Sequence, residues 1–166
     1  MRLLSFLCLA VILSTGCRKE HGSRVDIYLL KSFHSGIDTT KTPVVHVITN
    51  AILDDTALIA DEDIKFYTKA NCTFTLRKNI QAIIQNYGPD KAFAVTVNDQ
   101  PVYYGRFHPM YLSSLVYGLS TITPLASTNK ELKIDFVNLT GSFVDTLDKR
   151  NDPRIVNTLK ETRRLR

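Results

Sequence analysis

Hydrophobic and polar residues alternate with a period of two along several short stretches of this chain, which is the signature of half-buried strands. In VDIYLLKSF (25–33), Val25, Ile27 and Leu29 alternate with Asp26 and Tyr28, predicting a first strand. A loop follows, predicted from the Gly, Ser, Thr and Pro content of HSGIDTTKTP, and the β-branched run VVHVIT (44–49) then resumes the sheet. CTFTL (72–76) predicts another strand. Phe93, Val95 and Val97 alternate into an Asn98-Asp99 turn and return through Val102, Tyr104 and Phe107, a predicted hairpin. A further strand is expected around 119–124. ELKIDFVNL places Leu132, Ile134 and Phe136 on one face and Lys133 and Asp135 on the other, a last half-exposed strand.

Three stretches carry helical signals instead. Asp61 stands in an N-cap position with Glu62 and Asp63 in the next turn, where carboxylates suit a helix N-terminus, so a short helix is expected over 61–68. RKNIQAIIQNYG (77–88) puts Ile80, Ile83, Ile84 and Tyr87 on one face and stops at Gly88. At the C-terminal end Asp152 can cap, Pro153 suits the first helical position, and Ile155, Val156 and Leu159 form a narrow apolar stripe. The order of elements predicts an α+β fold: one domain over residues 25–166, a mainly antiparallel sheet with two or three helices packed on it.

The N-terminus departs from this pattern. Arg2 is followed by an apolar run from Leu3 to Leu13 and then by Ser14, Thr15, Gly16 and Cys17. A positive start, a short apolar core and small residues before a cut make a secretory signal, and the run is too short for the ~30 Å of a bilayer core. The Thr-Gly-Cys ending resembles the lipobox of bacterial lipoproteins, with Ser14 where that motif usually has Leu. The resemblance implies that Cys17 is acylated and becomes the first mature residue, residues 1–16 being the signal and 17–24 a polar tether. Ordinary secretion, with Cys17 a spare thiol, is the competing reading.

Removing residues 1–16 leaves 150 residues, about one domain's worth, in which Cys72 is the only thiol besides Cys17. If Cys17 is acylated, no disulfide framework exists, and Cys72 is expected to be a small core residue rather than a reactive thiol. The net charge of +5 is also localised. Lys149, Arg150, Arg154, Lys160, Arg163, Arg164 and Arg166 face only Asp152 and Glu161 in residues 149–166, while residues 17–148 are nearly balanced. Basicity confined to one end argues against a nucleic-acid-binding face and makes Arg150 and Arg154 candidates for an interaction through a basic terminal helix.

Chemistry-bearing motifs are sparse. Asp54, Asp55, Asp61, Glu62 and Asp63 do not make a calcium loop, because the sixth and twelfth places counted from Asp61 hold Phe66 and Cys72 instead of Gly and Glu. His21, His34, His46 and His108 form no HxH or HxxxH pair, and no cofactor is expected. His46 reads as an ordinary strand histidine. No nucleophile elbow, phosphate loop or dinucleotide fingerprint is present. Tyr103, Tyr104, Phe107, Tyr111 and Tyr117 lie among Arg106 and His108, residue types enriched in binding sites. Alternate aromatics on a strand usually pack in the core; Tyr103, Arg106 and His108 are retained as binding candidates. The sequons at Asn71 and Asn138 read as incidental.

The segments YLLKSF, DEDI, FAVTVNDQPVYYGRF and DKRNDPRIVNTLK together resemble an uncharacterised family of small bacterial lipoproteins. More distantly, Asp61 to Phe107 is similar to the periplasmic region of SecD-type translocation subunits. These resemblances imply location and fold rather than activity, and Glu20 after CRK is similar to signals that send some lipoproteins to the outer surface. The expectation is a protein of the bacterial cell envelope, anchored to the lipid bilayer through Cys17 and acting as a non-enzymatic binding or assembly module with an envelope protein partner. A hydrolase with a site near Arg106 and His108, and an interaction protein using its basic C-terminal helix, are the alternatives.

Overall fold

The first two strands are far longer than their alternating stretches. The computed structural model of the chain describes residues 22–137 and 146–166. Strand β1 spans Val25–Asp38 and β2 spans Val45–Ile59, so the expected loop from His34 narrows to the few residues between them. Four register shifts interrupt their antiparallel pairing between Ile27 and His34. Such bulges bend and twist a ribbon, and here the bend carries β1–β2 over one face of the sheet it belongs to.

The predicted helix over 61–68 is replaced by a 3₁₀ turn at Asp61–Asp63 and strand β3, Ile64–Thr68. The reason lies in burial and pairing: Ile64 and Tyr67 are fully buried, and β3 pairs with β4, Thr73–Leu76. Cys72 is buried as expected, but it sits in the left-handed turn before β4, with φ 53°. The second expected helix shrinks to one turn, α1 at Gln81–Ile84. Its leading residues are held elsewhere, since the Arg77 N–H donates to the Asp63 carbonyl and the Ile80 N–H to the Asn129 carbonyl.

The central hairpin forms as its sequence dictates. Strands β5 (Ala92–Val97) and β6 (Gln100–Phe107) are joined by Asn98 and Asp99 with φ of 52° and 63°, the left-handed pair that a two-residue turn matched to strand twist requires. Gly105 lets β6 approach closely, because a Cβ there would come 2.2 Å from the Phe93 ring and 2.5 Å from the Ser120 carbonyl oxygen. Strand β7 (Ser120–Ile122) runs parallel to β6. The single strand expected in ELKIDFVNL is split between two sheets. Strand β8, Glu131–Lys133, pairs with β4, and β9, Asp135–Phe136, pairs with β7, with Ile134 buried at the corner.

The result is a single α+β domain with a six-stranded mixed sheet ordered β2-β1-β5-β6-β7-β9 and a three-stranded antiparallel sheet ordered β3-β4-β8. Helix α2, Pro153–Glu161, begins as predicted: Asp152 accepts from the Arg154 N–H and Pro153 occupies the first turn. Ile155 and Leu159 of α2 join Ile27, Phe74, Phe93 and Phe107 in the main core. On the other face of the larger sheet, the folded-over ribbon brings Phe33, Ile48 and Leu53 onto Leu30, Ala92, Ala94 and Tyr104. After α2 the chain turns back along β3, where the Tyr67 N–H donates to the Arg164 carbonyl and the Arg166 N–H to the Tyr67 carbonyl, at 2.8 Å each.

Candidate functional site

Strand alternation separates the residues that the sequence placed together. Tyr103 faces the main core with Gly105 and Phe107, while Tyr104 and Arg106 face the opposite side. Their odd spacing along β6 already carried that signal. Burial pushes the Tyr103 phenol well above its usual range, nearby Cys72 adds to the rise and Arg150 opposes it. Tyr103 and Arg150, named for different reasons, are thus neighbours in the interior.

Arg150 is an internal clamp. Its guanidinium makes two bonds to the Asp148 carboxylate, at 2.9 and 2.7 Å, and a third to the Ile134 carbonyl at 2.9 Å, with the Phe136 ring centroid 5.7 Å away. It therefore fastens the corner between β8 and β9 to the residues leading into α2. Burial opposes ionisation of Asp148, but the side-chain and backbone hydrogen bonds and the charge of Arg150 outweigh it and hold the carboxyl below the usual range. The Tyr67 hydroxyl donates to the Arg150 carbonyl, and the Cys72 thiol is enclosed beside Asn151. These bonds close around two phenols, Tyr67 and Tyr103, that burial holds in their neutral form.

Arg154 is spent locally, with both guanidinium arms on the Asp152 carboxylate. Arg164 binds Asp61, whose Oδ1 also accepts from the Val25 N–H at 2.8 Å. Of the basic C-terminal residues, Lys149, Lys160, Arg163 and Arg166 remain exposed without a carboxylate partner among the described residues. Cys17 and His21 lie outside the described residues, as do the proposed signal, most of the tether and Asn138. His34, His46 and His108 lie on β1, on β2 and beyond β6, and no group of three His, Cys, Asp or Glu side chains is poised for a metal among the described residues.

Two concave features stand out. A cavity of about 470 Å³ lies under the folded ribbon, lined by Asp38, His46, Ile48, Tyr104, Leu119 and Leu147. Here the His46 N–H donates to the Tyr117 carbonyl, and Gly118, with φ of 83°, passes so close to Val45 that a Cβ would come 2.6 Å from its side chain. The second is a groove of about 600 Å³ walled by Tyr87, Pro109, Met110, Tyr111, Pro124 and Leu125, with the amides of Gln85 and Asn86 at its margin. Met110, Tyr111 and Leu125 are 70%, 75% and 64% exposed, which concentrates large apolar surface on one end of the molecule. Neither Arg106 nor His108 lines this groove: the Arg106 guanidinium donates to the Pro89 carbonyl at 2.9 Å, and the His108 backbone N–H to the Ile122 carbonyl at 2.8 Å. The groove is assembled from three segments distant in sequence, so no local motif announced it.

Comparison of the chain with protein-family models, with curated proteins and with solved structures yields no match.

Proposed function

We propose that this chain is a lipid-anchored protein of the bacterial envelope, attached through Cys17, that works as a non-enzymatic binding module for an apolar segment of a protein partner. The observation that carries the reading is the position of the Tyr87–Met110–Tyr111–Leu125 groove relative to the point where the tether meets the domain. Arg24 and Asn98 are bonded to one another through the Arg24 N–H and carbonyl, so residue 24 sits at the turn end of the β5–β6 hairpin. The groove lies beyond the other end of that hairpin, where the rings of Tyr87 and Phe107 meet edge to face 5.0 Å apart. A strand of this length separates the two ends by roughly 20 Å.

Gly22 lies five positions after Cys17, a reach of at most about 17 Å, so the tether itself does not extend over the groove. The groove's Tyr, Met and Pro walls with amide groups at the edge suit an apolar peptide segment of another protein. The test has two arms. A lipid label on Cys17 should place the wild-type chain in the membrane fraction and be absent from Cys17→Ala. A photocrosslinker at Tyr111 should give one discrete protein adduct that Leu125→Asp abolishes and that the same crosslinker at Asp55 does not give. A soluble, unlabelled wild-type chain refutes the anchor; an adduct indifferent to Leu125→Asp refutes the groove.

A further inference from the structure

Beside the tether, the edge of the smaller sheet gathers cations that the fold does not neutralise. Lys65 and Lys69 lie at the two ends of β3, and the chain returning from α2 lays Arg166 against it, the Lys69 N–H donating to the Arg166 carbonyl at 2.9 Å. The Arg166 guanidinium stacks 3.4 Å from the Phe66 ring centroid and the Lys65 ammonium lies 5.4 Å from the same centroid, so two cations share one ring. Arg163 stands in the turn just before residues 164–166, with Lys160 one helical turn behind it. All five side chains are exposed and have no carboxylate partner among the described residues; Glu62 and Glu161 are the exposed acidic groups nearby.

The tether emerges against this surface. Gly22 and Ser23 share a cleft with Asp61, Glu62 and Thr162, one residue from Arg163. Asp61 holds the arrangement together by accepting from both the Val25 N–H and the Arg164 guanidinium. An acylated Cys17 would therefore hold Lys65, Arg163 and Arg166 within about two tether lengths of the bilayer, a distance over which charge attraction survives physiological salt only once the surface is drawn into contact.

We infer that this face, Lys65, Lys69, Lys160, Arg163 and Arg166 around Phe66, docks on the anionic phospholipid headgroups of the membrane that carries the anchor. Resting on the anchored reading above, it adds an orientation: the domain lies down on its β3 edge and turns the apolar groove outward. Each surface-proximal basic residue strengthens vesicle partition by roughly fivefold, so removing three costs roughly a hundredfold.

The experiment is co-sedimentation of the full chain carrying Cys17→Ala with vesicles of phosphatidylcholine, alone or with one-third phosphatidylglycerol. It is repeated with Lys65→Gln, Lys69→Gln and Arg163→Gln added; these exposed positions leave the fold intact, checked by urea unfolding. The inference expects binding to the anionic vesicles that exceeds binding to the neutral ones, falls with salt, and drops about a hundredfold in the triple variant. The apolar run at 3–13 and the Arg2, Arg18 and Lys19 that flank it are common to the Cys17→Ala chain and the triple variant, so the comparison of these two on anionic vesicles is the deciding one. Equal binding to both compositions, or an unchanged triple variant, overturns it. Because the acyl group is absent throughout, a failure here leaves the Cys17 label as a separate result, and a missing label leaves this one.

Discussion

Replacing Asp61 by Ala should destabilise the domain by about 3 kcal/mol. Its carboxylate accepts the Val25 N–H at 2.8 Å and the Arg164 guanidinium at 2.7 Å. Val25 is fully buried and the Arg164 side chain is only 13% exposed. Truncation strands the buried N–H, at about 1–3 kcal/mol, and removes a charge-assisted bond worth about 1.5–3 kcal/mol. Asp61 is itself a quarter exposed, so water recovers part of both terms and the lower half of the summed range is the better expectation. Asp61→Asn keeps an acceptor for Val25 and loses mainly the charge, so it should cost about half as much. Urea unfolding of the full chain at pH 7 measures both, and an m-value equal to wild type confirms that the difference is one of stability. At ~2–4 °C per kcal/mol for a domain this size, Asp61→Ala should also melt about 9 °C lower. A second arm combines Asp61→Ala with Arg164→Met. If the pair acts through direct contact, the double variant loses less than the two single losses added together. Asp61→Ala and Asp61→Asn of equal cost, or a loss below about 1 kcal/mol, would refute the account of this carboxylate as the joint between the two ends of the fold.

Two other outcomes follow from particular contacts. Gly105→Ala drives a methyl into the Phe93 ring and the Ser120 carbonyl at once, so urea unfolding should show a loss of about 3 kcal/mol, and a neutral substitution would contradict the close approach of β6. Asp148 has a folded pKa below its unfolded value, so its contribution is present above the ordinary carboxylate range and is lost as pH falls through the folded value. The stability gap between wild type and Asp148→Asn should therefore be wide at pH 7 and close progressively below about pH 4; a gap that stays constant would show that the Arg150 bonds do not act through the ionised carboxylate.

What the sequence made legible was local. Asn98-Asp99 could be read as a hairpin turn because few residue pairs tolerate two consecutive positive φ angles, and Asp152-Pro153 could be read as a helix start because the Asp side chain caps an orphan N–H and Pro lacks the N–H that would be unpaired in the first turn. What it concealed depended on remote partners. Ile64 and Tyr67 carry no signal that β4 and residues 164–166 will pair on either side of them, so the acidic lead of Asp61–Asp63 read as a helix. The length of β2 was hidden because its outer positions, such as Thr49, Asn50 and Asp55, are solvent-facing and polar. The basic C-terminal run looked like a free surface until Asp148, Asp152 and Asp61, two of them outside that run, were seen to bind three of its arginines. Odd spacing did place Tyr103 and Arg106 on opposite faces of a strand, a signal present in the sequence but weaker than their shared composition.

The pairing of residues 164–166 with β3 has a consequence for how the protein is made. Tyr67 and Lys69 wait for backbone partners about a hundred positions downstream, and Val25 is bonded to the same carboxylate that awaits Arg164. Contacts of such separation form late, because the intervening loop must close before they return any stabilisation. A chain made from its N-terminus keeps this seam open until residues 164–166 have emerged, so β3 gains its second neighbour only in the last step of synthesis.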